Sequence, residues 1–485
     1  MNKFVNSVAN QDQVGSTFNG AATFSNSGSR VLNLFKAVGQ RGADLSKEFD
    51  LASAENKNLA LRTLLWTRDI RGGAGEREVA RKILRHMEKN YTDELFAILP
   101  HWPEYGRWDD LLVFETEFVR NKAFKVIQDA LAAKNGLCAK WMPRKGKDAV
   151  ALRNFLGWSP KRYRKTLVTL TKVVETPMCA REWKGITYDH VPSVAAARYQ
   201  KAFFKHDPEG YKAYRDGLVK INPETGKTER KINAGAVFPY DVLKSLRNGD
   251  VAVSDAQWEA LPNLLGDNKI LPFIDLSSSM GSWGYYGQAH GRNGSTVTPM
   301  DIAVSIGCYT AGKQTGDFAG MWMGFSSRPR MNKMTGPLTL SNMVNQLDFS
   351  DAYGSTNIEA AFNLVLQHAV RHNVPQSDMP KMILVVSDME FDSQRAGLSD
   401  FAFNNAKANF AAAGYDLPKV VFWHVNGRAD NSPVKQDQLG SAMVSGFSPA
   451  IFKSILSDKL EDFSPYNVML ETLNAPRYSI EGLTA

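Results

Sequence analysis

The chain has 485 residues, too long for one ordinary hydrophobic core, so two or three domains are expected. Hydrophobic residues at 43% and charged residues at 22% exclude extensive disorder, and no apolar run is long enough for a membrane-spanning helix. The formal charge of +8 is unevenly divided: residues 262–485 carry 16 Lys and Arg against 20 Asp and Glu, so the preceding residues hold all of the basic excess.

The first forty residues are polar and Gly-rich, and residues 1–50 are expected to form a loosely packed arm. Their opening twenty have no apolar signal core, which makes a cytoplasmic location and no membrane partner the expectation. Cys138, Cys179 and Cys308 are odd in number and lack paired metal spacing, so buried free thiols are expected rather than a disulfide framework.

From about Ala54 the pattern turns helical. Leu59, Leu61, Leu64 and Leu65 recur near helical spacing, Arg71-Gly72-Gly73-Ala74-Gly75 breaks the run, and a helix restarts over Glu76 to Met87. Amphipathic segments follow at Asp93 to Leu99, Asp109 to Phe114, Glu117 to Ala133, Pro160 to Val174, Val191 to Lys205 and Pro208 to Val219. Residues 51–261 therefore read as stacked helix pairs of the solenoid kind, without a sequence repeat of fixed period.

Between Arg120 and Lys172 fourteen basic residues face only Asp129 and Asp148, a balance that points to a polyanion partner. Ser159 and Pro160 read as the cap and first position of a helix. Cations in the first turn oppose the helix dipole, and a bound phosphate would reverse that penalty at Lys161, Arg164 and Lys165, which share a face. With Lys140, Arg144, Lys145, Lys147 and Arg162 these form the candidate nucleic-acid surface. Trp141, Trp158 and Tyr163 interleave with the charges and offer stacking faces, although aromatics at such spacing more often belong to a core.

After Leu261 strands alternate with helices: strands at Lys269 to Asp275, Met321 to Ser326, Lys381 to Ser387 and Lys419 to Val425, and helices at Pro299 to Gly312, Leu340 to Leu347 and Asn357 to Arg371. That alternation predicts an α/β doubly wound, mostly parallel sheet with ligands at the carboxyl ends of its strands. The first strand ends in Asp275-Leu276-Ser277-Ser278-Ser279, a D-x-S-x-S arrangement that turns one carboxylate and two hydroxyls toward one point, as a hard divalent cation requires. Thr356 opens a later helix and Asp388 ends a later strand, which completes a set of five oxygen donors. Capping of adjacent helices by Asp275 and Asp388 is the plainer alternative.

With the strand and helix order, these five residues resemble the von Willebrand A domain and its metal-ion-dependent adhesion site. The resemblance implies that Asp275, Ser277, Ser279, Thr356 and Asp388 hold Mg²⁺ or another divalent cation, with a protein partner's carboxylate completing the shell. Asp388-Met389-Glu390-Phe391-Asp392 departs from the family, many members of which have Gly after the Asp. A haloacid-dehalogenase-like phosphatase also places an Asp after its first strand, but it needs an acid where this chain has Ser277. The loop Gly281 to Thr298, with Trp283, Tyr285, Tyr286, His290 and Arg292, suits a partner or base-stacking surface or else simply links strand to helix.

The segment Thr67 to Arg77 lacks the G-K-[ST] ending of a P-loop. Its glycines are expected to permit a tight turn, with Arg68, Asp69, Glu76 and Arg77 paired across it. The segment resembles the first part of Ro-type proteins, in which a ring of HEAT-like helical repeats, the TROVE module, precedes a von Willebrand A domain. Closer still is a phage and plant family of unknown function related to Ro, on Arg71-Gly72-Gly73-x-Gly75-Glu76-Arg77, Ser387-Asp388-Met389-Glu390-Phe391-Asp392 and Val444-Ser445-Gly446-Phe447-Ser448. The resemblance implies a multidomain, non-enzymatic ribonucleoprotein component: a TROVE-like module at 51–261 binding small structured or single-stranded RNA, and an A domain at 262–485. A protein-interaction scaffold and an assembled structural protein are the alternatives.

Overall fold

The computed structural model describes residues 14–224, 232, 237–249, 251–281, 297–350, 352–392, 401–457 and 462–479, the side chains of 193, 194 and 197 excepted. A helix-rich N-terminal region precedes a C-terminal α/β region built on a six-stranded mixed sheet.

In chain order the strands are β1 (Val14–Ser16), β2 (Ala22–Phe24), β3 (Ile270–Asp275), β4 (Met321–Phe325), β5 (Arg330–Lys333), β6 (Met382–Ser387), β7 (Lys419–His424) and β8 (Ser441–Ser445). The sheet runs β5-β4-β3-β6-β7-β8, parallel except for β5. Strands β3, β6 and β8 are buried along their whole length, as expected of parallel strands covered on both faces, and short β5 blunts one edge with Arg330 and Lys333. Strand order reverses about β3, with β4 on one side and β6 on the other. The carboxyl ends of β3 and β6 therefore flank the crevice where such sheets bind ligands.

Helices arise where the sequence has both a stripe and a cap. Pro299–Lys313 starts at a capping box of Thr298 and Asp301, and Pro160–Leu170 starts at Ser159, whose side chain accepts the Arg162 N–H. Two expected helices come out differently. Asp109 to Phe114 is a 3₁₀ turn at Trp108–Leu112, because Asp110 turns inward to accept bonds from Arg68, Arg81 and the Arg107 backbone. The helix expected to reach Val174 stops at Leu170, ahead of the β-branched Thr171, Val173 and Val174.

The N-terminal segment is not loosely packed throughout: Val14–Ser16 and Phe18 are exposed, but Thr23, Asn26, Ser27 and Ser29 are buried. Helix Arg30–Ala37 buries every residue but its first and packs on helix Ser46–Arg68, on β8 and on helix Pro465–Leu473. One hydrophobic core runs from Val31 through the helices up to Leu167 and across the whole sheet to Tyr478, while a smaller one gathers Tyr188, Phe203, Tyr211 and Tyr214.

The glycine turn after helix Ser46–Arg68 is tight for a visible reason. A Cβ at Gly73 would collide with Trp66 O, and Gly75 has φ 73° with Phe238 against it. The charges around it do not pair across the turn as expected. Arg68 binds Asp110 at 2.7 Å with both side chains buried, Asp69 takes Arg477 and the Tyr478 hydroxyl, Glu76 caps helix Arg77–Asn90 and faces Arg41 at 3.8 Å, and Arg77 meets Glu78. The turn is thus a junction between distant segments.

Candidate cation site and basic surface

Asp275 ends β3 and is fully buried. Its Oδ1 accepts the Ser277 N–H at 2.9 Å and its Oδ2 accepts the Ser387 hydroxyl at 2.5 Å, so the carboxylate is oriented by a local turn and by the neighbouring strand β6. Ser277 Oγ lies 3.1 Å from Ser279 Oγ; Ser277 is buried and Ser279 exposed. The Ser278 N–H donates to Gly354 O and the Asp392 N–H to Thr356 O, which sets the fully buried Thr356 between the turn after β3 and the loop after β6.

Burial raises the Asp275 pKa to about 7, and the charge of nearby Asp388 adds to the rise. Asp388 follows β6 and is itself buried, and Met389 adopts φ 64° so that the chain can turn at this point. Two mutually repelling carboxylates, three hydroxyls and no nitrogen or sulfur donor make a set suited to a hard cation. Among the described residues no group of three or more His, Cys, Asp and Glu side chains could hold a metal.

Glu390, two residues beyond Asp388, has other partners. It pairs with Arg428 at 3.0 Å and accepts the Phe18 N–H at 2.6 Å, so its charge is already engaged. Asp392 forms an antiparallel bridge with Gly20. Residues 17–20 were not among the expected site residues, yet Asn19 Nδ2 donates to Glu390 O at 2.6 Å and lies 3.4 Å from Thr356 Oγ1. The available signal was Asn19-Gly20 between alternating short runs, a hairpin signature. Trp283, Tyr285, Tyr286, His290 and Arg292 lie outside the described residues.

On the helical region, Arg144, Lys145, Lys147, Lys161, Arg162, Arg164 and Lys165 are exposed and Lys140 half-buried. Helices Gly136–Trp141 and Pro160–Leu170 pack together, Tyr163 OH donates to Pro143 O at 2.9 Å, and Arg144 reaches Thr171 Oγ1 at 3.0 Å. These bonds hold residues 140–147 beside 161–165 as one surface. Among the described residues none of the eight cations is paired with a carboxylate. Of the aromatics, Tyr163 is a core residue, in line with the plainer reading, while Trp158 carries Arg162 at 5.0 Å from its ring and Trp141 carries Arg107 at 4.0 Å.

The molecule is thus a helix-rich N-terminal region followed by an α/β domain with a cluster of oxygen donors at the sheet's switch point. Residues 147–269 match a family described as a domain of unknown function (DUF2828), and residues 270–473 match a second domain of unknown function (DUF7788); the junction falls at the first residue of β3. The chain is 27% identical over 515 residues to the uncharacterized protein L728 of Acanthamoeba polyphaga mimivirus, covering 94% of this chain and 86% of that one. The crystal structure of the Ro (RSR) protein of Deinococcus radiodurans aligns at 14% identity with a TM-score of 0.33, over 90% of this chain and 92% of that one. No helix among the described residues is long and apolar enough to cross a membrane.

Proposed function

We propose that this chain is a non-enzymatic RNA-binding protein whose α/β domain, of the von Willebrand A kind, carries a divalent cation for a second partner. The observation that carries the RNA half is the unpaired basic surface of residues 140–147 and 161–165, built on a capped helix N-terminus. Cations that lack protein counter-charges and line a helix start are favourable to phosphate, and phosphate contacts provide most sequence-independent affinity. Trp141 and Trp158 add partly buried ring faces at its border.

For the cation, Asp275, Ser277, Ser279, Thr356 and Asp388 would be the holding residues, and Mg²⁺ is the natural occupant of so hard a donor set. When bound it would supply a coordination position for a partner's carboxylate. The buried, mutually repelling Asp275 and Asp388 support this reading, because a cation relieves a repulsion that helix capping would leave in place.

Filter binding to a structured and a single-stranded RNA across a salt series tests the RNA half. The triple variant Lys161→Glu, Arg164→Glu, Lys165→Glu should bind at least tenfold more weakly and lower the salt slope on single strands by about 2, as expected for three lost phosphate contacts. Affinity that ignores salt, or no affinity in the parent protein, would overturn it.

A further inference from the structure

The segment lying over the candidate cation site comes from the other end of the described chain. Strands β1 and β2 form a hairpin whose turn crosses the loop after β6: Thr17 Oγ1 donates to Phe391 O at 2.5 Å, the Phe18 N–H to Glu390 Oε2 at 2.6 Å, and Asn19 Nδ2 to Glu390 O at 2.6 Å. The hairpin base and tip are held in different ways. At the base, Phe24 stacks on Phe401 at 3.9 Å and exchanges two backbone bonds of 2.9 Å with Ser432, while Thr23 is buried against Asn431. At the tip, Phe18 is 86% exposed and the attachment is through hydrogen bonds.

Asn19 stands at the Thr356 hydroxyl, which is fully buried beneath it. Its Nδ2 donates to Thr356 Oγ1 as well as to Glu390 O, so the carboxamide engages an oxygen of the donor set with an N–H and keeps that place from an incoming group. The backbone bonds of Phe18 and Gly20 set that carboxamide in place on Glu390 and Asp392.

We propose that the hairpin tip is an intramolecular cap on the cation site, and that a carboxylate-bearing protein partner gains the site by lifting the tip while the base stays docked. This rests on the cation reading above. The cap makes cation loading and partner capture separable: the ion enters beside the exposed Ser279, and the partner must displace Asn19 from Thr356.

The test uses full-length protein and Mn²⁺ as the probe. Affinity is read by electron paramagnetic resonance, solvent access to the bound ion by water-proton relaxation, and hairpin docking by hydrogen exchange over residues 17–24. Asn19→Ala should leave Mn²⁺ affinity within about threefold, raise the relaxation enhancement of the bound ion, and speed exchange at the Phe18 amide by about tenfold, the equivalent of one or two lost hydrogen bonds. Thr17→Val, which removes a different tip contact, should act in the same direction, so that misfolding of one variant does not decide the matter. Unchanged relaxation in both variants overturns the cap while leaving the cation site standing. A loss of Mn²⁺ affinity of more than about tenfold in Asn19→Ala also overturns it, by making Asn19 a ligand rather than a cap. If the parent binds Mn²⁺ no better than Asp275→Ala, the cation reading has failed and the cap falls with it.

Discussion

Asp275 is held by one backbone N–H and one hydroxyl, donors that orient a carboxylate without discharging it. A divalent cation should therefore stabilise the folded chain through this residue. Thermal melts at saturating Mg²⁺, about a hundredfold above its dissociation constant, should show a gain of about 2.7 kcal/mol in the parent and none in Asp275→Ala; an equal gain in both would place the ion elsewhere. The donor types were legible because three of the five fall within one short motif and the other two follow elements of strong pattern. Asn19 was not legible, since its contact with Thr356 spans 337 positions and a polar, Gly-rich stretch carries no sign of where it docks.

Among the elements, the parallel strands were readable from their unbroken apolar runs, whereas β8 escaped notice because a five-residue strand flanked by serines looks like a loop. Helix Arg30–Ala37 was hidden by its surroundings. It buries Lys36, whose Nζ donates to the carbonyls of Arg428, Ala429 and Asn431, with burial lowering the pKa to about 7 against the opposing pull of Asp430. Lys36→Met would leave those carbonyls without their donor and should cost about 2–3 kcal/mol in urea unfolding; a neutral result would mean that the clasp between helix and loop contributes nothing. The 3₁₀ turn at Trp108–Leu112 shows the same logic in reverse, with a buried charge overriding a helical pattern. Although burial alone would raise it, Arg68 and Arg81 hold the Asp110 carboxyl below its usual range. Its folded pKa is thus depressed, so its contribution is fully present above the unfolded value near 4 and is lost as pH falls through the acid range. Asp110→Asn should flatten the acid limb of the stability profile below about pH 4; a limb unchanged in slope would exclude this pair as its source.

At the scale of the whole molecule, the division of charge was readable, as was the change from helices to alternating strands near residue 262. The continuity of the core was not, because it depends on contacts between segments hundreds of residues apart. Asp69 shows this most clearly: Arg477 grips it through Nε and Nη2 at 2.5 and 2.8 Å, Tyr478 adds a hydroxyl at 3.0 Å, and Arg477 lies 5.2 Å from the Tyr105 ring. Asp69→Ala should release residues 476–479 to limited proteolysis at a rate at least tenfold above the parent, given the loss of a charge-assisted pair worth about 1.5–3 kcal/mol; equal protection would show that packing alone retains the segment. The same clasp has a temporal side. Asp69 and Arg477 are 408 positions apart, so at roughly 5–20 residues per second a ribosome leaves about 20–80 s between their appearance. For that interval Asp69 waits without its guanidinium, and the helical region stands as a partly assembled body until the segment around Arg477 has been made.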